Sequence, residues 1–175
     1  MSTATYNLRI NLLAAGKSKR FQGVKLLACV KEEVTLIEHV TQQLTSALID
    51  VNNIEYSLHI ATGIYHKKIS EVLKSKFNLI QCPAAHLGMG HTISQSVRHA
   101  TNSNASHIMI ALADQIGLTN QDYLKLINRS QHSPDKIICA KVGSTLMPPA
   151  IFPCRFLPQL VKLTGDKGAK VLLFQ

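Results

Sequence analysis

Tryptophan is absent from this 175-residue chain, and phenylalanine and tyrosine together make up only 5% of it. A core without large rings has to rest on Leu, Ile, Val and Ala. The same scarcity removes the aromatic platforms on which single-stranded nucleic acid stacks, and no recognition-helix or zinc-finger spacing is present. Nucleic acid is therefore not an expected partner. The four cysteines (Cys29, Cys82, Cys139, Cys154) are widely separated and form no C-x-x-C pair. That excludes a thiolate zinc site, and the apolar neighbours of three of them predict reduced, mostly buried thiols. The eight histidines show no zincin spacing, and His86 and His91 flank glycines. No apolar run reaches the roughly 18 residues of a membrane helix, and Met1 to Asn7 is polar without a signal-peptide pattern. These absences predict a cytoplasmic protein that does not enter the membrane.

Acidic residues are also scarce. Ten stand against 19 Lys and Arg, for a formal charge of +9. The basic residues are dispersed rather than gathered in a tail, so they predict a broad positive field that attracts anions. By length the chain is expected to form one domain, 1–175, large enough to bury about two thirds of its unfolded surface.

What is present is an alternation. Short, continuously apolar strands are expected at 6–14, 55–62, 77–82, 107–113 and 136–142. Helices are expected at 35–49, opened by a Thr35/Glu38 capping box, at 65–75, from a Thr92/Gln95 capping box to Ala100, and from Thr119 to Arg129. A proline-rich segment, Met147 to Pro153, precedes a short helix at 155–163. Strand–helix alternation with non-alternating strands predicts an α/β, Rossmann-like fold: a mostly parallel sheet with helices on both faces. Ligands of such sheets sit beyond the carboxyl ends of the strands. There the unusual residues gather: Ala14 to Lys25, Gly88 to Thr92, and Asp114.

The stretch "INLLAAGKSKRF" contains Gly16-Lys17-Ser18, the tail of a P-loop pattern. The head of that pattern needs a glycine where this chain has Asn11, inside the expected strand. The P-loop reading fails there. Ala14, Ala15 and Gly16 instead leave room above the strand end for a flat base and for backbone amides near phosphate. Arg20 and Lys25 follow, suited to offset phosphate charge. Asp114, directly after an apolar strand, needs a cation or a donor. A Mg²⁺ ion, which takes one or two carboxylates together with phosphate oxygens, suits it. Gly90 and Thr92, in "LGMGHT", are placed to meet ribose or base; a plain glycine turn is the alternative.

"LAAGKSKRFQGVKLL" resembles the signature of the molybdenum cofactor nucleotidyltransferases. "GMGHTISQSV", "LADQ" and "STLMPPAIFPCRFLPQLVKLTGDKGAKVLL" are similar to later segments of that family, in the same order. The resemblance runs from about residue 8 to the end. It implies an NTP-binding enzyme that uses Mg²⁺ and joins a nucleotidyl group to the phosphate of molybdopterin, releasing pyrophosphate. A molybdoenzyme or its chaperone would receive the product. By position, Gly16 would hold the triphosphate, Arg20 and Lys25 would stabilise its charge, and Asp114 would hold the metal, with Asp166 as a second candidate. Ala14, Ala15, Gly90 and Thr92 would line base and ribose. Cytidylyl members favour Ala-Ala-Gly in this loop, so Ala15 points to CTP. Gln22, Ile116 and Met147 depart from the pattern, and the family's acidic segment beyond "GDKGAK" has no counterpart before "VLLFQ". Two alternatives follow: a nucleotide-binding relative with weak turnover, and a transferase for another phosphorylated acceptor.

Overall fold

The computed structural model describes residues 6–17, 21, 23–98, 100 and 103–173. The chain begins with β1 (Tyr6–Ala14) and passes through a 3₁₀ turn at Lys25–Leu27 into a small hairpin, β2 (Cys29–Lys31) and β3 (Val34–Thr35). Sequence reasoning did not anticipate that hairpin, whose strands are too short to carry periodicity. Then come α1 (Leu36–Ile49), β4 (Ile54–Thr62), α2 (His66–Leu73), β5 (Asn78–Gln81) and α3 (Met89–Arg98). The last elements are β6 (His107–Leu112), α4 (Asn120–His132), β7 (Ile138–Val142), β8 (Thr145–Pro153) and α5 (Leu157–Val161).

Local chemistry explains most boundaries. Thr35 Oγ1 accepts from the Glu38 amide while Glu38 Oε2 accepts from the Thr35 amide, closing the expected capping box of α1. Thr119 and Asp122 do the same for α4. The box expected at Thr92 and Gln95 does not form. Helix α3 starts three residues earlier, directly after Gly88, and the Thr92 hydroxyl donates back to the Gly88 carbonyl. Gln95 instead accepts from the Ala84 amide, tying α3 to the preceding turn.

The proline-rich segment, for which the sequence predicted no element, is strand β8, antiparallel to both β6 and β7. Its ladder with β7 pairs Cys139 with Ala150 and Ala140 with Met147, so Pro148 and Pro149 fall in the register shift. A proline lacks an amide hydrogen, and a bulge is where a strand tolerates that loss.

Six of the eight strands among the described residues form one sheet in the order β5-β4-β1-β6-β8-β7, within which β8 alone runs against the others. Helices α1, α2 and α4 pack on one face through Ile37, Val40, Leu44, Ile69 and Tyr123. The other face is covered by α3 and α5 through Ile93, Val97 and Leu160. This is the expected α/β architecture, a mostly parallel sheet between helix layers. Asn11 is wholly buried mid-strand, its amide atoms without hydrogen-bond partners, and the chain does not turn until after Ala14. No described helix is long and apolar enough to cross a membrane. All four cysteines are free, but only Cys82 is buried, where burial pushes its thiol up to about 11. Cys29 is exposed on the hairpin and the other two are half-buried, which corrects the expectation of mostly buried thiols.

Candidate active site

From β1 the chain steps to β4 and β5 on one side and then returns to β6 on the other. The crevice of an open α/β sheet lies at such a reversal. Here the two strands stay joined to their ends, since the Ala113 amide donates to the Leu13 carbonyl at 3.0 Å. Beyond that bond the loops diverge and open a cleft of about 400 Å³. Its size falls within the range of small-molecule sites.

Ala14, Ala15, Gly16 and Lys17 form one lip of the cleft, and Asp114 lies across from them after β6. Gly16 has open space around it, with no atom within 4 Å of where a Cβ would sit. Lys25 heads the 3₁₀ turn, and its Nζ lies 3.0 Å from Asp114 Oδ2. Both side chains are about half exposed, at 40% and 50%. The acid after the apolar strand is thus paired, as its position demanded, and it is not buried. An exposed pair of this kind contributes about 0–1 kcal/mol and is readily exchanged.

The facing wall comes from Ala85 to Thr92. Thr92 lines the cleft, while Gly90 does not. Gly90 is buried against the C-terminal segment: its amide donates to the Gly165 carbonyl at 2.7 Å, and a Cβ there would lie 2.5 Å from the Thr164 carbonyl oxygen. Gly90 therefore has a packing role at this seam. Gly88, at φ +124°, is equally tight, with Gly165 and Asp166 2.5–2.6 Å from a hypothetical Cβ. His91 completes the seat by accepting from the Gly165 amide at Nδ1, 3.1 Å away. This docking brings Asp166 into the cleft wall. Arg20 lies outside the described residues, as do Ser18, Lys19 and Gln22.

Sequence reasoning missed Lys17, His86 and Met89 as lining residues and missed what holds the 164–168 segment. The available signal was the spacing of Gly88 and Gly90 before His91. Among the described residues no three His, Cys, Asp or Glu side chains converge on a metal-sized point. The cleft instead offers two carboxylates, Asp114 and Asp166, and the first already attracts a cationic ammonium. Such a donor set fits a hard divalent cation that shares phosphate oxygens, and not a closed structural site.

A family model described as a MobA-like NTP transferase domain matches residues 10–175. The purine catabolism protein PucB of Bacillus subtilis (strain 168) is 30% identical over 165 residues, which cover 92% of this chain and 78% of that protein. Among solved structures, Rv0371c of Mycobacterium tuberculosis H37Rv is similar with a TM-score of 0.77 at 18% identity, over 99% of this chain and 84% of that one. The same protein in complex with manganese matches at 0.74 and 16%, over 98% and 83%. A nucleotidyl transferase from Methanothermobacter thermautotroptrophicus (Mth528) matches at 0.71 and 16%, over 95% and 81%.

Proposed function

The chain belongs to the MobA-like NTP transferase domain family, a family of nucleotidyltransferases, and on that basis we propose that it transfers CMP from CTP to the phosphate of molybdopterin. An oxygen of the acceptor phosphate attacks the α-phosphorus of CTP. The bond from that phosphorus to the bridging oxygen breaks, and pyrophosphate leaves with the electron pair. The observation that carries the reading is the Lys25–Asp114 pair at the mouth of the cleft, where β1 and β6 end side by side.

Each residue then has a task. Ala14 and Ala15 leave a shallow floor for the base, and the small Ala15 favours the pyrimidine. The open backbone at Gly16 receives the triphosphate, with Lys17, Lys25 and Arg20 offsetting its charge. Thr92 bounds the ribose. Asp114, with Asp166 as the second candidate, holds Mg²⁺ or a similar divalent cation, which when bound neutralises phosphate charge. The manganese complex of the mycobacterial structure supports a divalent ion in this fold. The protein's own contribution is positioning and electrostatics, the two effects on which transfer at phosphorus depends. The product dinucleotide passes to a molybdoenzyme or its chaperone.

The test has two stages. Thermal melting with CTP, GTP, ATP and UTP, each with and without Mg²⁺, should show the largest rise with CTP and Mg²⁺. Ligand at about 100 times its Kd adds about 2.7 kcal/mol, or about 5–10 °C at this size. A clear preference for GTP would show that Ala15 does not select the base. Pyrophosphate release is then measured with molybdopterin and with a panel of sugar and polyol phosphates. Release only with another acceptor overturns the molybdopterin assignment. Nucleotide binding without release from any acceptor favours the non-catalytic alternative.

A further inference from the structure

Lys25 and Asp114 pose a conflict for the reading just given, and this inference rests on that reading. A carboxylate that takes a divalent cation is, in the nucleotide-free protein, already taken by an ammonium 3.0 Å away. Among the described residues Asp114 has no other hydrogen-bond or ion-pair partner. The lysine backbone is anchored: the Ala28 amide donates to the Lys25 carbonyl, and the adjacent Leu26 side chain is buried. Only the flexible arm is loose, and its charged end is 40% exposed.

We infer that Lys25 is an exchangeable occupant of the metal position. In the absence of nucleotide it neutralises Asp114 and competes with the cation. A triphosphate entering over Gly16 presents several negative charges to the same ammonium and draws it off the carboxylate. Asp114 is then released to the cation, and Lys25 is left on the phosphates. Nucleotide and metal therefore bind cooperatively, and the coupling is reciprocal. Only the partner of the lysine changes. An unguarded carboxylate would instead collect divalent ions before any substrate arrived.

The prediction has an unusual sign. Lys25→Met, which removes a residue of the phosphate machinery, should make the nucleotide-free protein bind Mn²⁺ more tightly. Loss of an exposed ion pair and of ammonium–cation repulsion corresponds to about a three- to tenfold gain. The experiment titrates Mn²⁺ into the intact chain without nucleotide, following free Mn²⁺ by electron paramagnetic resonance. Lys17→Met serves as the control, since Lys17 lines the same cleft and removing it changes the net charge equally. It should produce a clearly smaller gain. With CTP present, the factor by which nucleotide tightens Mn²⁺ binding should fall in Lys25→Met relative to wild type. Equal gains in the two variants would assign the effect to overall charge and overturn the exchange, and so would no gain at Lys25. Asp114→Asn separates the two levels of the argument. If it binds Mn²⁺ as wild type does, the metal assignment of Asp114 fails. If it loses Mn²⁺ binding while Lys25→Met shows no gain, only the exchange fails.

Discussion

A single histidine makes part of this fold sensitive to pH. His107 opens β6, is 5% exposed, and stacks on Tyr6 with ring centroids 4.3 Å apart. Its Nε2 donates to the Pro134 carbonyl at 2.9 Å, while Nδ1 faces the Ser106 hydroxyl at the same distance. Burial holds its pKa below the usual imidazole value; the Pro134 carbonyl and Asp135 oppose that shift and Arg155 adds to it. A depressed folded pKa means that the unfolded chain binds the proton first. The stability it contributes is thus complete above the unfolded value of about 6.5 and is lost as pH falls through the folded value. Melting temperature should be flat above about pH 7 and decline toward pH 5, and His107→Gln should remove that part of the slope. An unchanged slope in the variant would assign the acid sensitivity to other groups. Asp114 is the opposite kind of residue. Its place after an apolar strand marked it in the sequence, but only the structure paired it with Lys25, which lies 89 positions earlier.

At the level of elements, the decisive junction is that of residues 88–91 with 164–168. Three features make it: Gly88 and Gly90 against Thr164 and Gly165, Met89 Sδ 2.8 Å from where a Gly168 Cβ would sit, and the His91 bond to the Gly165 amide. A methyl group at Gly90 meets backbone rather than a yielding side-chain tip, so the segment itself has to move. Gly90→Ala should cost about 1–3 kcal/mol. It should also weaken metal-dependent nucleotide binding, because Asp166 leaves the cleft with the segment. Gly16→Ala is the useful contrast. With nothing within 4 Å of the added methyl, its melting temperature should stay within about 1 °C of wild type while nucleotide affinity falls. Calorimetric unfolding and nucleotide titration on the two variants check the pair. Equal loss of stability in both would show that the close packing at Gly90 carries no special weight.

For the molecule as a whole the informative number is the net charge of +9. A triphosphate approaching a broadly positive surface is steered toward it, and salt screens that attraction over a Debye length of about 10 Å at 0.1 M. Raising NaCl from about 0.05 to about 0.5 M should slow nucleotide association and weaken its affinity by about tenfold, with dissociation changing less. Stopped-flow kinetics with a fluorescent CTP analogue measures both rates. A salt-independent association rate would show that the positive surface takes no part in capture.

The sequence by itself determined those features that depend on neighbours in the chain. Apolar runs became strands at Tyr6–Ala14 and His107–Leu112, and Thr35 and Thr119 capped the helices they precede. Asn11 alone was enough to exclude a P-loop, because a residue that belongs to a strand cannot also begin the turn. Contacts between distant segments could not be read in this way. Thr92 and Gln95 have the spacing of a capping box, but Gln95 finds the Ala84 amide, and α3 begins where Gly88 lets the chain turn. Pro148 and Pro149 carried no strand signal, yet a register shift between β7 and β8 accommodates both inside a sheet. Gly90 had the spacing of a ligand contact and serves as a seat for Thr164. In each case a local preference worth about 1 kcal/mol was outweighed by burial and hydrogen bonding with another segment: the turn at Ala84 for Gln95, β7 for the prolines and Thr164 for Gly90. Those partners meet only when the sheet has been assembled, and that is why tertiary structure decided them.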